Sequence, residues 1–211
     1  MDASLAFTSA VEMRRLIGSK EVSVPELMEF FYQRIEQLNP RLNAYLALCP
    51  DQAMDQARAA QEAVQRGDSL SPLHGIPVSI KDLEMTKGIP TTVGSAVFKD
   101  RTPEADSVVV ERIRQAGAII LGKTNTPEFG LSGTTETKVG GPGRNPWNPE
   151  RTSGGSSGGA AAALASGLMY PGQRQRRRRF HTDTRQLLRR LRYQAVTGPG
   201  TSFRWVRPAR R

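Results

Sequence analysis

This 211-residue chain has one cysteine, Cys49, so it has no internal disulfide and no cysteine cluster to hold zinc. Taken alone, Cys49 reads as a small buried apolar residue. No apolar run reaches the length that crosses a bilayer, and the N-terminus lacks the pattern of a secretion signal. The expectation is a cytoplasmic protein without a membrane span. There is no internal repeat. Lysine is absent from residues 172–211, which carry 13 arginines and a single acid, Asp183. The formal net charge of +10 therefore belongs to the last forty residues; residues 1–171 hold 17 basic and 19 acidic side chains. A basic chain suggests a nucleic-acid binder. Here that suggestion attaches to the tail, and the first 171 residues read as an ordinary, slightly acidic domain long enough to bury one core.

What is present before residue 172 alternates between helix and strand. Ser9-Ala-Val-Glu12 and Ser23-Val-Pro-Glu26 are capping boxes. The second opens a helix from Val24 to Leu38 with Leu27, Phe30, Phe31 and Ile35 on one stripe, closed by Asn39-Pro40. A strand is expected over Asn43 to Leu48, a helix over Asp51 to Arg66 stopped by Gly67, and a short buried strand over Ile76 to Ile80. Asp106 to Ala116 reads as a helix with Val109, Ile113 and Ala116 inward, followed by an apolar strand over Ala118 to Leu121. Thr124 to Ser157 is rich in Pro, Gly and Asn and reads as a long functional loop. Helix returns over Gly158 to Leu168. This order is α/β with a mainly parallel or mixed sheet.

The stretch from Arg151 to Leu168 carries the densest chemical signal. Ser156 and Ser157 sit among four glycines immediately before the alanine-rich run Ala160 to Ala163. Glycine permits positive φ and close backbone approach. The helix start behind it supplies free N–H groups and a positive dipole end. The plain alternative is a Gly/Ser linker. Lys81 ends an apolar strand, where a side chain can be buried and still face a cleft. Desolvation makes a lysine easier to deprotonate. A shift from about 10.4 to near 7 requires roughly 4–5 kcal/mol. A neutral amine there can act as general base towards a serine. Spacing alone favours the plainer reading of a surface lysine paired with Asp82 or Glu84. His74, just before this strand, is a candidate proton shuttle or a structural residue at the pocket edge. Glu128 and Phe129 read as substrate contacts or as a packed ring beside a solvated acid, and Trp147 as a loop anchor.

Four motifs in order carry a resemblance: His74-Gly-Ile-Pro-Val-Ser-Ile-Lys-Asp82, Gly122-Lys-Thr-Asn-Thr-Pro-Glu-Phe-Gly130, Asn145-Pro-Trp-Asn-Pro149 and Thr152-Ser-Gly-Gly-Ser-Ser-Gly-Gly159. Together they resemble the amidase signature family, whose members include bacterial amidases, fatty-acid amide hydrolases and the glutaminase component of tRNA-dependent amidotransferases. The resemblance runs from about residue 5 to 168. It implies a mixed central β-sheet flanked by helices. It also implies hydrolysis of a carbon–nitrogen amide bond through an acyl-enzyme, a small amide substrate, and no metal or organic cofactor. Carried over, Lys81 matches the catalytic lysine and Ser156 the cis-serine that relays protons to the nucleophile. Thr124, Asn125, Gly133, Thr134 and Ser157 are expected to line the substrate cleft. The alternative within the family is a glutaminase that feeds ammonia to a partner protein acting on misacylated tRNA.

The family's nucleophile lies in a Gly-Gly-Ser-Ile-Arg motif 24 residues after the cis-serine, where this chain has Phe180. The glycine-rich loop that forms the oxyanion hole is missing with it. The nucleophile is thus absent from this chain, and the chain as written is expected to be inactive. The genetic code explains the loss. The codons allowed for Arg176 to Asp183, read one nucleotide later, permit Asp-Gly-Gly-Gly-Ser-Ile-Arg-Ile, with the serine straddling codons 180 and 181. Continued to Thr201, the same frame permits Pro-Ala-Ser-x-x-Gly-x-x-Gly-Ile-Lys-Pro-Ser-Gln-Gly-Arg-Val-Pro. The expectation is a frameshift near residues 169–175, with residues 1–171 the N-terminal part of an amidase signature domain and 172–211 an out-of-frame or disordered tail. The functional alternative for the tail is a non-enzymatic basic arm that binds nucleic acid through phosphates, without sequence preference.

Overall fold

A computed structural model of the protein describes residues 3–170. The readings made for 172–211, the displaced frame and the basic arm, lie outside the described residues. Both serines cap their helices. Ser9 Oγ accepts from the Glu12 amide at the start of α1 (Ala10–Gly18), and Ser23 Oγ does the same for Glu26 at the start of α2 (Val24–Leu42). Leu27, Phe31 and Ile35 are fully buried, with Phe30 half-buried beside them. α2 does not stop at Leu38. It runs through Pro40 to Leu42, because Asn39 makes the turn from inside the helix. The Asn39 Oδ1 accepts from the Ala44 and Tyr45 amides at 2.8 and 2.9 Å, while Asn43 takes the left-handed conformation and its amide donates back to Asn39. The strand that follows, β1 (Tyr45–Leu48), therefore begins two residues later than the alternation suggests.

After α3 (Pro50–Arg66), which Gly67 ends at φ 78°, comes β2 (Pro77–Lys81), and after α4 (Val108–Gln115) comes β3 (Ile119–Thr124). The three strands form a mixed sheet in the order β1-β3-β2, with β1 antiparallel and β2 parallel to β3. The inward face of α4 differs from expectation: Val110 is fully buried and Val109 is 38% exposed. Asp106 stays outside the helix: its carboxylate accepts from the Lys87 amide at 2.7 Å and from Arg114 Nε at 3.0 Å, and the helix starts at Val108. β3 extends three residues past Leu121 and carries Lys123 into the sheet.

The segment read as loop contains a short antiparallel hairpin, β4 (Arg144–Asn145) with β5 (Asn148–Thr152). α5 (Gly158–Ala165) then packs against β2 and β3. It ends before Leu168 because Gly167 turns the chain at φ 62°. Arg34 of α2 donates to the freed carbonyls of Ser166 and Gly167 at 2.8 and 2.9 Å. Behind α5 the buried Tyr170 stacks edge-on against Phe31, and the Tyr45 hydroxyl donates to the Leu168 carbonyl at 3.1 Å. α2 and α3 pack on one another and complete the core. Among the described residues no helix is long and apolar enough to cross a membrane.

Candidate active site

Lys81 is the last residue of β2 and Thr124 the last of β3, paired across the parallel ladder. The carboxyl ends of parallel strands are where α/β sheets place their ligand crevices. Lys81 is 1% exposed, and its Nζ donates to Ser156 Oγ at 2.9 Å. The reading of Lys81 as a surface lysine is thereby removed. Its proposed partner Asp82 pairs instead with Lys123, at 3.7 Å.

Ser156 sits on the turn before α5, and the Gly155–Ser156 peptide bond is cis. Three contacts hold this turn. The Thr126 hydroxyl donates to the Ser156 carbonyl at 3.1 Å. The Thr135 hydroxyl donates to the Gly154 carbonyl at 2.7 Å and accepts from the Gly158 amide at 3.0 Å. The Gly159 amide donates to the Asn125 carbonyl at 3.2 Å, docking the first turn of α5 on the end of β3. Close approach explains the glycines. A Cβ on Gly159 would lie 2.6 Å from the carbonyl oxygens of Ala44 and Asn125, and one on Gly155 about 3.0 Å from the Gly133 carbonyl.

The residues expected to line a cleft fall into two groups. Thr124 and Asn125 are fully buried at the strand end. Asn125 Nδ2 donates to the Asn43 and Gly141 carbonyls, which ties the 137–143 segment to β3. Among the described residues the Thr124 hydroxyl, Asn125 Oδ1 and the Ser153 hydroxyl have no hydrogen-bond partner. Gly133, Thr134 and Ser157 are half-buried around the Ser156 turn. Gly133 and Thr134 pack against Gly155, while Ser157 occupies the N-cap position without a side-chain cap. His74 is not brought to Lys81: its Nε2 lies 3.0 Å from the Ala60 carbonyl of α3, a structural contact. The Glu128 carboxylate accepts from Ser95 Oγ at 2.6 Å, and Phe129, 46% exposed, stacks edge-on with Phe98. Among the described residues no group of three or more His, Cys, Asp or Glu side chains converges.

Sequence reasoning missed Asp82 and Lys123 as a pair. Both are fully buried. Lys123 Nζ donates to the Glu84 carbonyl at 2.5 Å and to the hydroxyls of Thr86 and Thr91 at 2.9 and 2.8 Å. Asp82 accepts from the Thr92 amide and, at 2.5 Å, from the Thr92 hydroxyl. Burial pushes the Lys123 amine down to about 8 and the Asp82 carboxyl up; their mutual attraction opposes both shifts and is outweighed by desolvation. The signal for the pair is a lysine directly after an apolar run: a strand over Ala118 to Leu121 leaves Gly122-Lys123 beyond the sheet, whereas β3 includes them.

This amine gives a pH dependence. Between about 8 and its unfolded value of about 10.4, the unfolded chain holds a proton on Lys123 that the folded chain has lost, so this residue makes stability rise with pH. Cys49, whose thiol burial pushes up to about 11, acts in the opposite sense over the same window. The difference between wild type and Lys123→Met carries the lysine's own contribution, together with the loss of the charge that lowers the Cys49 and Asp82 values. Wild type is expected to gain on the variant from pH 8 to 9.5, at a slope of about 1 kcal/mol per pH unit. Urea denaturation at fixed pH values measures it; a constant difference would refute the assignment.

Comparisons with known proteins identify the family. The sequence model of the Amidase family matches residues 26–173. The chain belongs to the amidase signature family. It is 43% identical over 166 residues to a glutamyl-tRNA(Gln) amidotransferase component, the A chain of that enzyme in Moorella thermoacetica, an alignment covering 79% of this chain and 34% of that protein. It is 41% identical over 167 residues to an acylamidase of Rhodococcus erythropolis, covering 79% and 35%. Among solved structures it superposes on a bacterial aryl acylamidase of the amidase signature enzymes with a TM-score of 0.74 at 36% identity, covering 77% of this chain and 34% of that one. The peptide amidase of Stenotrophomonas maltophilia gives 0.73 at 33% identity, covering 77% and 34%. The chain thus spans about a third of the length of these relatives.

Proposed function

We propose that residues 3–170 are the lysine–serine part of an amidase active site, with Lys81 as proton acceptor and Ser156 as relay. The observation that carries this is the buried 2.9 Å contact between Lys81 Nζ and Ser156 Oγ at the carboxyl end of a parallel strand. When the amine is uncharged the same line carries a proton the other way. A nucleophilic serine hydroxyl gives its proton to Ser156, and Ser156 gives its own to Lys81. The serine oxygen bonds to the amide carbonyl carbon, the carbon–nitrogen bond breaks, and the leaving amine takes the proton back through the relay. Water then hydrolyses the acyl-enzyme. The substrate class is a small amide. The amidotransferase and acylamidase relatives, at 43% and 41% identity, share this bond type rather than one substrate.

The nucleophile and the oxyanion loop belong to the Gly-Gly-Ser motif that the chain replaces with arginines around Phe180. The chain as written is therefore inactive in this reading, and the one-nucleotide shift restores it. The test compares two proteins. The 211-residue chain should turn over simple amides no faster than buffer. A chain whose frame is shifted by one nucleotide just upstream of codon 175, read on into the downstream sequence, should hydrolyse them. Lys81-dependent turnover by the unshifted chain, or an early stop codon in the shifted frame, would overturn the proposal. Nucleic-acid binding remains a reading of residues 172–211 alone; deleting them should abolish any such binding.

A further inference from the structure

We propose that Asp82 and Lys123 are positioning residues for Lys81 and Ser156. The proposal rests on the reading of those two residues given above and adds to it a buried device that sets their separation. The pair has no stability rationale: burying two charges costs several kcal/mol, and apolar replacements of similar volume are often neutral or stabilising. What a satisfied buried polar network does supply is one defined geometry.

The contacts trace that geometry from one catalytic residue to the other. Asp82 follows Lys81 directly, and its amide donates to the Thr124 carbonyl at 3.1 Å, so a fixed Asp82 side chain fixes the end of β2. Lys123, beside Ile80 in the ladder, reaches from β3 to the Glu84 carbonyl and the Thr86 and Thr91 hydroxyls. The two side chains thus clamp the 84–92 loop onto both strand ends. The loop continues into Gly94, whose hydrogen side faces the Thr126 and Pro127 carbonyls so closely that a Cβ would lie 2.8 Å from each. The Phe129 amide donates to the Val93 carbonyl at 2.8 Å, and Ser95 Oγ to Glu128 at 2.6 Å. Thr126, held in this way, donates to the Ser156 carbonyl at 3.1 Å. One continuous set of contacts therefore runs from Asp82 and Lys123 to the backbone of Ser156, while Asp82 itself holds Lys81.

The experiment needs no turnover. The 211-residue chain is trace-labelled with acetic anhydride across a pH series, and the labelling of Lys81 is read by peptide mass spectrometry against the exposed Lys99 and Lys138. Lys123→Met and Asp82→Asn each strand a buried charge and lower global stability; each should raise the Lys81 labelling rate by about tenfold or more beyond the rise in Ile120 amide exchange, through local opening, with exposed-lysine labelling unchanged. Thr91→Val removes one Lys123 acceptor without stranding a charge and should raise Lys81 labelling by a smaller factor; Thr91→Ser, which keeps the hydroxyl, should return it to wild type. This second pair decides the matter where the charge variants fail to fold. Unchanged Lys81 labelling in folded variants would sink the proposal. So would a Lys81 rise no larger than that of the Ile120 amide, which is the signature of a merely structural role. Failure of the amidase reading would show instead as an inert frame-shifted protein whose Lys81 is still protected by this network.

Discussion

In the frame-shifted protein, Lys81→Met is expected to lower kcat by roughly two to four orders of magnitude, the range that a positioned acid–base group contributes. Methionine keeps the volume of a side chain that is 1% exposed, so the urea midpoint should move little compared with the loss of rate. KM should stay near its original value, because proton relay acts in the transition state rather than in ground-state binding. Ser156→Ala should have a loss of the same order, since its hydroxyl is the atom between the lysine and the nucleophile. The double variant should be scarcely worse than either single one: groups that act as a unit are not additive. A steady-state comparison of the four proteins measures this. Multiplicative losses would mean that the two residues act separately and that the relay is wrong; full activity in either variant would remove that residue from the mechanism.

Local rules made most of this architecture legible. Capping boxes placed α1 and α2, Gly67 ended α3, and the four ordered motifs pointed to Lys81 and Ser156, which the fold brings to 2.9 Å although 75 positions separate them. What local rules missed has one physical source: side chains recruited by distant parts of the chain. Asn39 turns α2 into β1 from inside a helix containing Pro40, so a proline that reads as a stop is tolerated. Asp106 reads as the first residue of a helix but is claimed by Lys87 and Arg114. Lys123 reads as a loop residue because a charge in a sheet interior is costly; only the carboxylate and oxygens of a loop more than thirty positions away make it admissible. Thr126 and Thr135 were silent for the same reason. Their hydroxyls matter through the backbone of a turn that sequence spacing does not bring near them.

Gly159→Ala is expected to damage both the fold and the site, although it adds a single methyl group. The added Cβ would meet the Asn125 amide and lie 2.6 Å from the carbonyl oxygens of Ala44 and Asn125. All three are backbone atoms of β3's end and the approach to β1, so no side chain can swing aside. Relief requires α5 to lift from the strand end, which breaks the Gly159 amide bond to the Asn125 carbonyl. The lift carries Ser156, three residues earlier, away from Lys81, whose own position is set by β2. Overpacking of this kind costs about 1–3 kcal/mol or more. A displacement of about 1 Å at a reacting group can cost on the order of a hundredfold in rate. The control is Gly133→Ala, where an added Cβ meets nothing within 4 Å; its stability should stay within about 0.5 kcal/mol of wild type. In the 211-residue chain, Gly159→Ala should lower the urea midpoint and raise Lys81 labelling; in the frame-shifted protein it should also depress kcat. If Gly159→Ala instead matches Gly133→Ala in urea midpoint and wild type in Lys81 labelling and kcat, then α5 is not seated on β3 through that glycine, and the docking that brings Ser156 to Lys81 must come from elsewhere.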